Sequence, residues 1–251
     1  MLIKKTNHDE LFARGIGIKA GFGIKTVLAL SLLFCLLLVP SLIIPNLWAE
    51  EERPPIYFKF IGNEAFRFSD GKMTLFSDFP YQSGAYGYME YEYDFAAEKG
   101  PVVSLITHRH LDHFDPERFI ELEWKIIGPK EVTERHSRLK VIPLKPEINF
   151  ANLKITPRVT DHSNTEHLSY LVEWWGKKFY FTGDANEADS LKDLPELDIL
   201  FISPRFYHSA QKANMLPKAG KVIIYHHETG EIVPGCKGCI IPEQGEEFIV
   251  K

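Results

Sequence analysis

The stretch THRHLDH (residues 107–113) directly follows the apolar run VVSLI (residues 102–106), which is typical of a buried strand. His108 and His110 are two residues apart, so in an extended chain both imidazoles project to the same side and can share one metal ion. Asp112 and His113 are adjacent and must point apart, so they can serve a second ion. Because three histidines and an aspartate follow a buried strand so closely, a solvated histidine-rich loop is a poor explanation. The stretch predicts a metal site at the end of a strand.

Outward from this stretch, strand-like and helix-like segments alternate. Their mixture predicts an α/β or α+β sandwich with its sheets inside. The expected strands cover residues 56–62, 65–70, 73–78, 102–107, 124–127, 140–144, 152–159, 168–175, 178–182, 198–203 and 221–226. The expected helices cover residues 115–122, 129–138 and 186–193.

Other polar residues of interest also stand at the ends of strand-like runs, and three of them, His162, Asp184 and His226, are candidate ligands. Asp78 ends LFSD, His162 lies in VTDHS, Asp184 lies in TGDA, and His226 ends KVIIYH. Together with H-x-H-x-D-H at residues 108–113, this order resembles the metallo-β-lactamase-fold hydrolase superfamily over residues 56–251. The resemblance implies an α+β fold, a four-layer αββα sandwich with the metals at one edge of its two sheets.

The resemblance also implies a dinuclear site. His108, His110 and His162 would bind one ion, Asp112, His113 and His226 the other, and Asp184 would bridge them. Imidazole and carboxylate donors suit zinc, so two zinc ions are expected, with manganese or iron as alternatives.

Two positions leave an alternative open. His167 competes with His162, but it stands at the start of the next strand, where a core or surface histidine is more common. His227 competes with His226, which is the first residue after the apolar run and therefore fits the family spacing better. His227 is then a candidate catalytic or proton-donating residue. Asp112 is the second catalytic candidate, and it would orient or deprotonate the attacking water.

The expected function is hydrolysis of a phosphodiester, lactone or ester through a metal-bridging hydroxide. True β-lactamases use another residue where this chain has Asp184, which argues against a β-lactam substrate. FIGNEAFRFSDG (residues 60–71) and THRHLDHFD (residues 107–115) resemble the branch of ascorbate-6-phosphate lactonase and N-acyl phosphatidylethanolamine phospholipase D. The alternatives are a membrane-tethered metal-binding scaffold without catalysis and a ribonuclease Z-like nuclease.

Charge is distributed unevenly along the 251 residues. Residues 50–251 carry 24 basic and 32 acidic side chains, a net charge of −8. Nucleic-acid binding usually requires a basic surface, so no nucleic-acid partner is expected. A small-molecule or lipid-like substrate fits this charge better.

Residues 26–49 contain no charged side chain, and about 20 apolar residues suffice to cross a bilayer. Lys19 and Lys25 precede this run and Glu50 follows it, which places the N-terminus in the cytoplasm and the domain outside. Leu47 stands where a cleaved signal prefers a small residue, which favours a retained anchor. We therefore expect an anchor or signal at residues 1–49, a linker at 50–55 and a membrane-anchored or secreted hydrolase domain at 56–251.

Further candidates for substrate binding lie outside the metal motif. Residues 81–95 hold five tyrosines, of which Tyr86 is a candidate for gripping an apolar ligand, with a surface strand pair as the alternative. Arg205 and His208 could bind a substrate anion or be ordinary loop residues. Cys236 and Cys239 lie in a loop, where an extracytoplasmic domain favours a stapling disulfide over two free thiols.

Overall fold

The computed structural model describes residues 2–4 and 53–251. The apolar run expected to form the anchor or signal, residues 26–49, lies outside the described residues. Within the part of the chain that is described, no helix is both long and apolar enough to span a bilayer.

Two mixed sheets form the frame of the described chain. The first has eight strands in the order β1-β14-β2-β3-β4-β5-β6-β7. Its strands are β1 (Leu2–Lys4), β2 (Ile56–Gly62), β3 (Ala65–Ser69), β4 (Thr74–Ser77), β5 (Val102–Leu105), β6 (Lys125–Ile127), β7 (Lys140–Val141) and β14 (Glu247–Val250). Strands β4 to β7 run parallel to one another, whereas β14, β2, β3 and β4 are joined antiparallel.

The second sheet has six strands in the order β13-β12-β11-β10-β9-β8. These are β8 (Ile148–Phe150), β9 (Leu153–Val159), β10 (Leu168–Trp174), β11 (Lys177–Phe181), β12 (Leu197–Ile202) and β13 (Ala219–Ile224). Strands β11, β12 and β13 are parallel, so the loops that follow them open at the same edge.

The core lies between the sheets because alternate side chains of each strand point inward. Phe58 and Phe66 of the first sheet pack against Phe201 of the second, with ring centroids 6.1 and 5.0 Å away. The opposite face of the first sheet packs against α1 (Pro116–Leu122) and α2 (Lys130–Thr133), through Phe119 and Val132. The opposite face of the second sheet packs against α3 (Pro204–Lys212). The result is the expected layering of helices, two sheets and helices.

Several predicted elements differ from the observed ones. The helix expected at residues 186–193 is one 3₁₀ turn, Ala188–Leu191, and the helix expected at 129–138 is the single turn of α2. Arg205 and His208, for which ordinary loop positions were the alternative, lie on α3, where Ser203 caps the amide of Phe206 and Pro204 occupies the first turn. This serine-proline pair is a helix start signal that the sequence interpretation overlooked.

Candidate metal centre

The candidate metal centre lies where strands of both sheets end at one edge. Five strands are each followed, within three residues, by a polar side chain that reaches this edge. These side chains are Asp78 after β4, His108 after β5, His162 after β9, Asp184 after β11 and His226 after β13. The loop after β5 adds His110, Asp112 and His113. The tertiary structure therefore brings together all seven residues that the sequence singled out as metal ligands.

A first group of donor atoms consists of His108, His110, His162 and Asp184, all within 4.8 Å of one another. His108 Nε2 lies 2.8 Å from His110 Nδ1 and 3.8 Å from Asp184 Oδ2. Asp184 Oδ2 is also 3.5 Å from His162 Nε2. Ligand atoms of a tetrahedral zinc site are about 3.4 Å apart, so this spacing suits one ion.

A second group consists of Asp112, His113 and His226. Asp112 Oδ2 lies 3.4 Å from His113 Nε2 and 3.5 Å from His226 Nε2. The carboxylate of Asp184 reaches this group too, with Oδ1 3.4 Å from His226 Nε2 and Oδ2 3.6 Å from His113 Nε2. Asp184 is thus shared by both groups.

Unpartnered polar atoms test whether these residues suit metal ions. Among the described residues, buried side-chain atoms without a hydrogen-bond partner include Asp112 Oδ1, His113 Nε2, His162 Nε2 and both carboxylate oxygens of Glu64. Buried polar atoms are normally hydrogen-bonded, and a bound cation satisfies them equally well. The residues therefore fit a metal centre.

The electrostatics of the centre favour a cation. Burial alone would lower the pKa of His113, but the Asp184, Asp112 and Asp78 carboxylates raise it well above its ordinary value. Burial opposes ionisation of Asp184, yet His113 and its neighbours hold the pKa of that carboxyl well below its usual range. The field that would retain a proton at His113 also attracts a metal ion.

Asp78 and Thr107 hold the donor loop from behind. Thr107 donates from its amide to Asp78 Oδ1 at 2.7 Å and from its hydroxyl to Asp78 Oδ2 at 2.9 Å. Asp78 Oδ2 also lies 3.2 Å from His113 Nδ1, which leaves His113 Nε2 directed at the donor group. A carboxylate behind a histidine ligand commonly orients its ring.

His167 lies behind the first group and outside it. Its Nε2 accepts a hydrogen bond from the amide of Asp184 at 3.0 Å, so its Nδ1 carries the proton and faces Thr160 Oγ1 at 2.7 Å. Burial lowers the pKa of His167 to about 3, which keeps the ring neutral, as this bond requires. The geometry places His162 among the donors and gives His167 the role of positioning Asp184.

His227, expected as a catalytic or proton-donating candidate, is directed away from the centre. The ring is 5% exposed, stacks on Phe60, and has its Nδ1 and Nε2 next to the carbonyls of Glu228 and Pro242 at 2.9 and 3.1 Å. Strand β13 ends at Ile224 and His226 has φ +52°, so the chain turns here; His226 Nε2 reaches the donor groups while the His227 ring packs on Phe60. The structure gives His227 a packing role.

An open cavity of about 380 Å³ adjoins the centre. His162, Asp184 and His226 contribute to its wall, together with the residues Tyr88, Asn186, Ser203, Pro204, Arg205, Glu228 and Glu231. Arg205 stands on the first turn of α3 and makes no ion pair with any described residue. The Tyr88 ring meets the ring of His226 edge-on at 4.5 Å.

The other substrate-binding candidates are placed differently. Tyr86 is 67% exposed and its ring is 6.4 Å from that of His110, so it stands beside the centre. His208 is exposed on α3 and does not line the cavity. Of the tyrosine-rich segment, Tyr81, Tyr91 and Tyr93 pack into the core on the outer face of the first sheet. Tyr88 is the segment's member in the cavity wall, which the pattern of tyrosines alone did not reveal.

Glu64 is a buried acidic residue near the centre that the sequence analysis did not single out. It lies in the turn between β2 and β3 and is fully buried, whereas hairpin turns are usually exposed. Burial raises the pKa of its carboxyl well above the usual range, and the Asp184 carboxylate adds to this effect. A glutamate in a turn carries no sequence signal that distinguishes it from a surface residue.

Cys236 and Cys239 form a disulfide in the loop after β13, with Cα atoms 5.5 Å apart. The same loop carries Glu228 and Glu231 to the cavity wall. The disulfide expected from the sequence is therefore present; it closes residues 236–239, which lie farther along this loop than Glu228 and Glu231.

No family model matches this sequence, and no curated protein matches it. Solved structures do resemble it. The metallo hydrolase Igni18 from the archaeon Ignicoccus hospitalis has a TM-score of 0.60 at 15% identity, covering 78% of this chain and 99% of that chain. The metallo-β-lactamase fold protein YhfI from Bacillus subtilis has a TM-score of 0.58 at 17% identity, covering 78% and 100%.

A protein from Parabacteroides distasonis described as a metal-dependent hydrolase has a TM-score of 0.57 at 18% identity, covering 74% of this chain and 91% of that chain. At these identities the similarity concerns the fold. The chain has the metallo-β-lactamase fold, which it shares with proteins described as metal-dependent hydrolases.

Proposed function

We propose that this protein is a dinuclear metal-dependent hydrolase, with zinc the expected ion, that acts on a phosphodiester or a phosphate-bearing lactone. The observation that carries the proposal is Asp184, whose carboxylate is shared between two complete groups of donor atoms. His108, His110 and His162 would hold one ion, and Asp112, His113 and His226 the other. When bound, the ions would act as a Lewis acid on the substrate and would lower the pKa of a water molecule enough for it to attack near neutral pH.

Two side chains at the centre would have further roles, one in proton transfer and one in positioning Asp184. Asp112 has one oxygen against His113 and His226, and its other oxygen, Oδ1, is buried without a partner. That free oxygen would accept the proton of the attacking water and orient it. His167 would keep Asp184 in place through the amide of that residue.

Arg205 supports an anionic substrate. It lines the same cavity as His162 and Asp184, at the start of α3, and makes no ion pair with any described residue. A guanidinium there would bind a phosphate or carboxylate oxygen. Opposite charges come from Glu228 and Glu231, which would repel a large polyanion and limit the substrate to a small anionic group.

Exposed apolar side chains near the centre support a lipid-like or apolar-substituted substrate. Tyr86 is 67% exposed, Ile232 is 83% exposed next to Glu231 of the cavity wall, and Leu111 is 36% exposed next to Asp112. These features agree with the resemblance to the branch of N-acyl phosphatidylethanolamine phospholipase D and ascorbate-6-phosphate lactonase.

The location of the protein is part of the proposal. An N-terminal apolar segment would hold the domain at the outer face of a membrane, and the Cys236–Cys239 disulfide supports an oxidising compartment. Reporter fusions at residue 60 should be active only outside the cytoplasm. Activity confined to the cytoplasm would reject this placement.

The full chain, loaded with zinc or manganese, should hydrolyse model phosphodiesters or phosphate-bearing lactones from a panel that also contains esters and the β-lactam nitrocefin. Asp112→Asn should reduce kcat by more than tenfold with little change in KM, because the lost group acts on the water. Rapid cleavage of nitrocefin with no turnover of the other substrates would overturn the substrate class. Fewer than two ions per chain after loading would overturn the dinuclear centre.

A further inference from the structure

Glu64 lies directly beneath the candidate metal centre, in the turn between β2 and β3. The neighbouring Asn63 accepts a hydrogen bond from the amide of His226 through its carbonyl at 2.7 Å. The Asn63 side-chain amide lies 3.5 Å from the carbonyl of Asp112. The turn is thus anchored to two of the donor residues, and it directs Glu64 into the same region.

The Glu64 carboxylate has no hydrogen-bond partner at either oxygen, although the side chain is fully buried. Its nearest cationic group is His113 Nδ1 at 3.6 Å, but that nitrogen lies closer to Asp78 Oδ2, at 3.2 Å. One N–H serves one carboxylate, so the N–H at His113 Nδ1 is directed to Asp78 and not to Glu64. No described lysine or arginine forms an ion pair with Glu64.

A buried carboxylate normally has hydrogen-bond donors or a cation beside it. The donor atoms of Glu64, Asp184 and His226 all lie within 4.8 Å of one another. The donor atoms of Glu64, Asp78 and His113 also lie within this distance, so Glu64 adjoins two members of the second donor group, His113 and His226.

We propose that Glu64 is a positioning residue that increases the affinity of the second donor group, Asp112, His113 and His226, for a divalent cation. This inference rests on the proposed function, because it requires the dinuclear centre. Three carboxylates, those of Glu64, Asp112 and Asp184, would lie around an ion held by the second donor group. The first position has three histidines and one carboxylate, so the added charge acts mainly on the second ion.

The test compares the full-length wild type with Glu64→Gln, which keeps the shape and removes the charge. Equilibrium dialysis against graded zinc, followed by elemental analysis, separates the two dissociation constants. The second constant should rise about 10- to 100-fold in Glu64→Gln, the range typical of residues that support metal ligands, with the first constant unchanged.

Glu98→Gln is the matched control. Glu98 is also a buried glutamate, 4% exposed at its side chain, but Arg67 compensates it at 2.6 Å and it belongs to neither donor group. This variant should bind both ions as the wild type does, even if it unfolds at a lower temperature.

A second variant, Glu64→Leu, separates metal binding from folding. Because it replaces a buried carboxyl that has no hydrogen-bond partner with an apolar side chain, its melting temperature without metal should equal or exceed that of the wild type, while the rise in melting temperature on adding zinc should shrink. Equal second constants in the wild type and Glu64→Gln, or an undiminished zinc effect in Glu64→Leu, would overturn this inference alone. A wild type that binds fewer than two ions would overturn the proposed function and this inference with it.

Discussion

Replacing Gly183 with alanine tests whether the backbone before Asp184 is held as tightly as the site requires. Gly183 has φ +57°, and a Cβ there would lie 2.5 Å from His167 Nε2 and 2.8 Å from Thr107 Cγ2. Ordinary contacts between such atoms are about 3.5–4.0 Å, so the ring of His167 must move by roughly 1 Å. That ring is held by Thr160 on one side and by the amide of Asp184 on the other.

The expected loss of unfolding free energy in Gly183→Ala has two parts. A left-handed conformation costs a non-glycine residue about 1–2 kcal/mol. Displacing His167 leaves the Asp184 amide without its acceptor, which costs about 1–3 kcal/mol more. Gly183→Ala should therefore lose about 2–5 kcal/mol of unfolding free energy, and a domain of this size loses about 2–4 °C of melting temperature per kcal/mol.

Gly71→Ala is the control, because Gly71 has φ +83° with no atom within 4 Å of the added Cβ. It should show the conformational cost alone, so Gly183→Ala should melt about 2–12 °C lower than Gly71→Ala. Scanning calorimetry of both variants, with metal content measured on the same samples, gives the comparison. Equal melting temperatures and equal metal content would refute the view that His167 holds Asp184.

Three other outcomes are expected. Asp184→Asn should hold no more than one ion per chain by elemental analysis, because both donor groups lose their shared carboxylate; retention of two ions would contradict its bridging role. Arg205→Ala should raise KM for an anionic substrate about 10- to 150-fold, because this is the effect of losing one hydrogen bond to a charged group. KM for a neutral ester should not change. Equal effects on both substrates would exclude anion binding by Arg205. Burial opposes ionisation of Glu98, but hydrogen bonds from Arg67, Tyr93 and Thr74 lower its pKa in the folded protein. The ionised carboxylate therefore stabilises the fold at a pH above the pKa of a glutamate in the unfolded chain, about 4.3. This contribution is lost as the pH falls below that pKa. The melting temperature of Glu98→Gln should therefore lie below that of the wild type at pH 7 and approach it in acid; a constant difference would contradict this.

Much of the sandwich follows from local patterns in the sequence. Runs such as residues 56–62 and 198–203 alternate or concentrate apolar residues over strand lengths, and the observed β2 and β12 match them within one residue. Short or polar elements were predicted less well. The edge strand β8 has three residues, and β14 follows a loop rich in glycine and glutamate, so neither has enough periodicity to stand out.

The sequence by itself predicted a two-sheet sandwich from its apolar runs, and the family resemblance of H-x-H-x-D-H and the later polar residues implied the layered fold and the candidate metal ligands, because motif spacing and apolar runs are local properties. Only the tertiary structure decided which side chains stand around the centre and which do not. His227 is adjacent to His226 yet packs on Phe60, and Glu64 is far from the motif yet lies beneath it. The physical reason is that burial, charge compensation and cavity walls depend on how the two sheets bring distant strand ends together, and no local pattern contains that information.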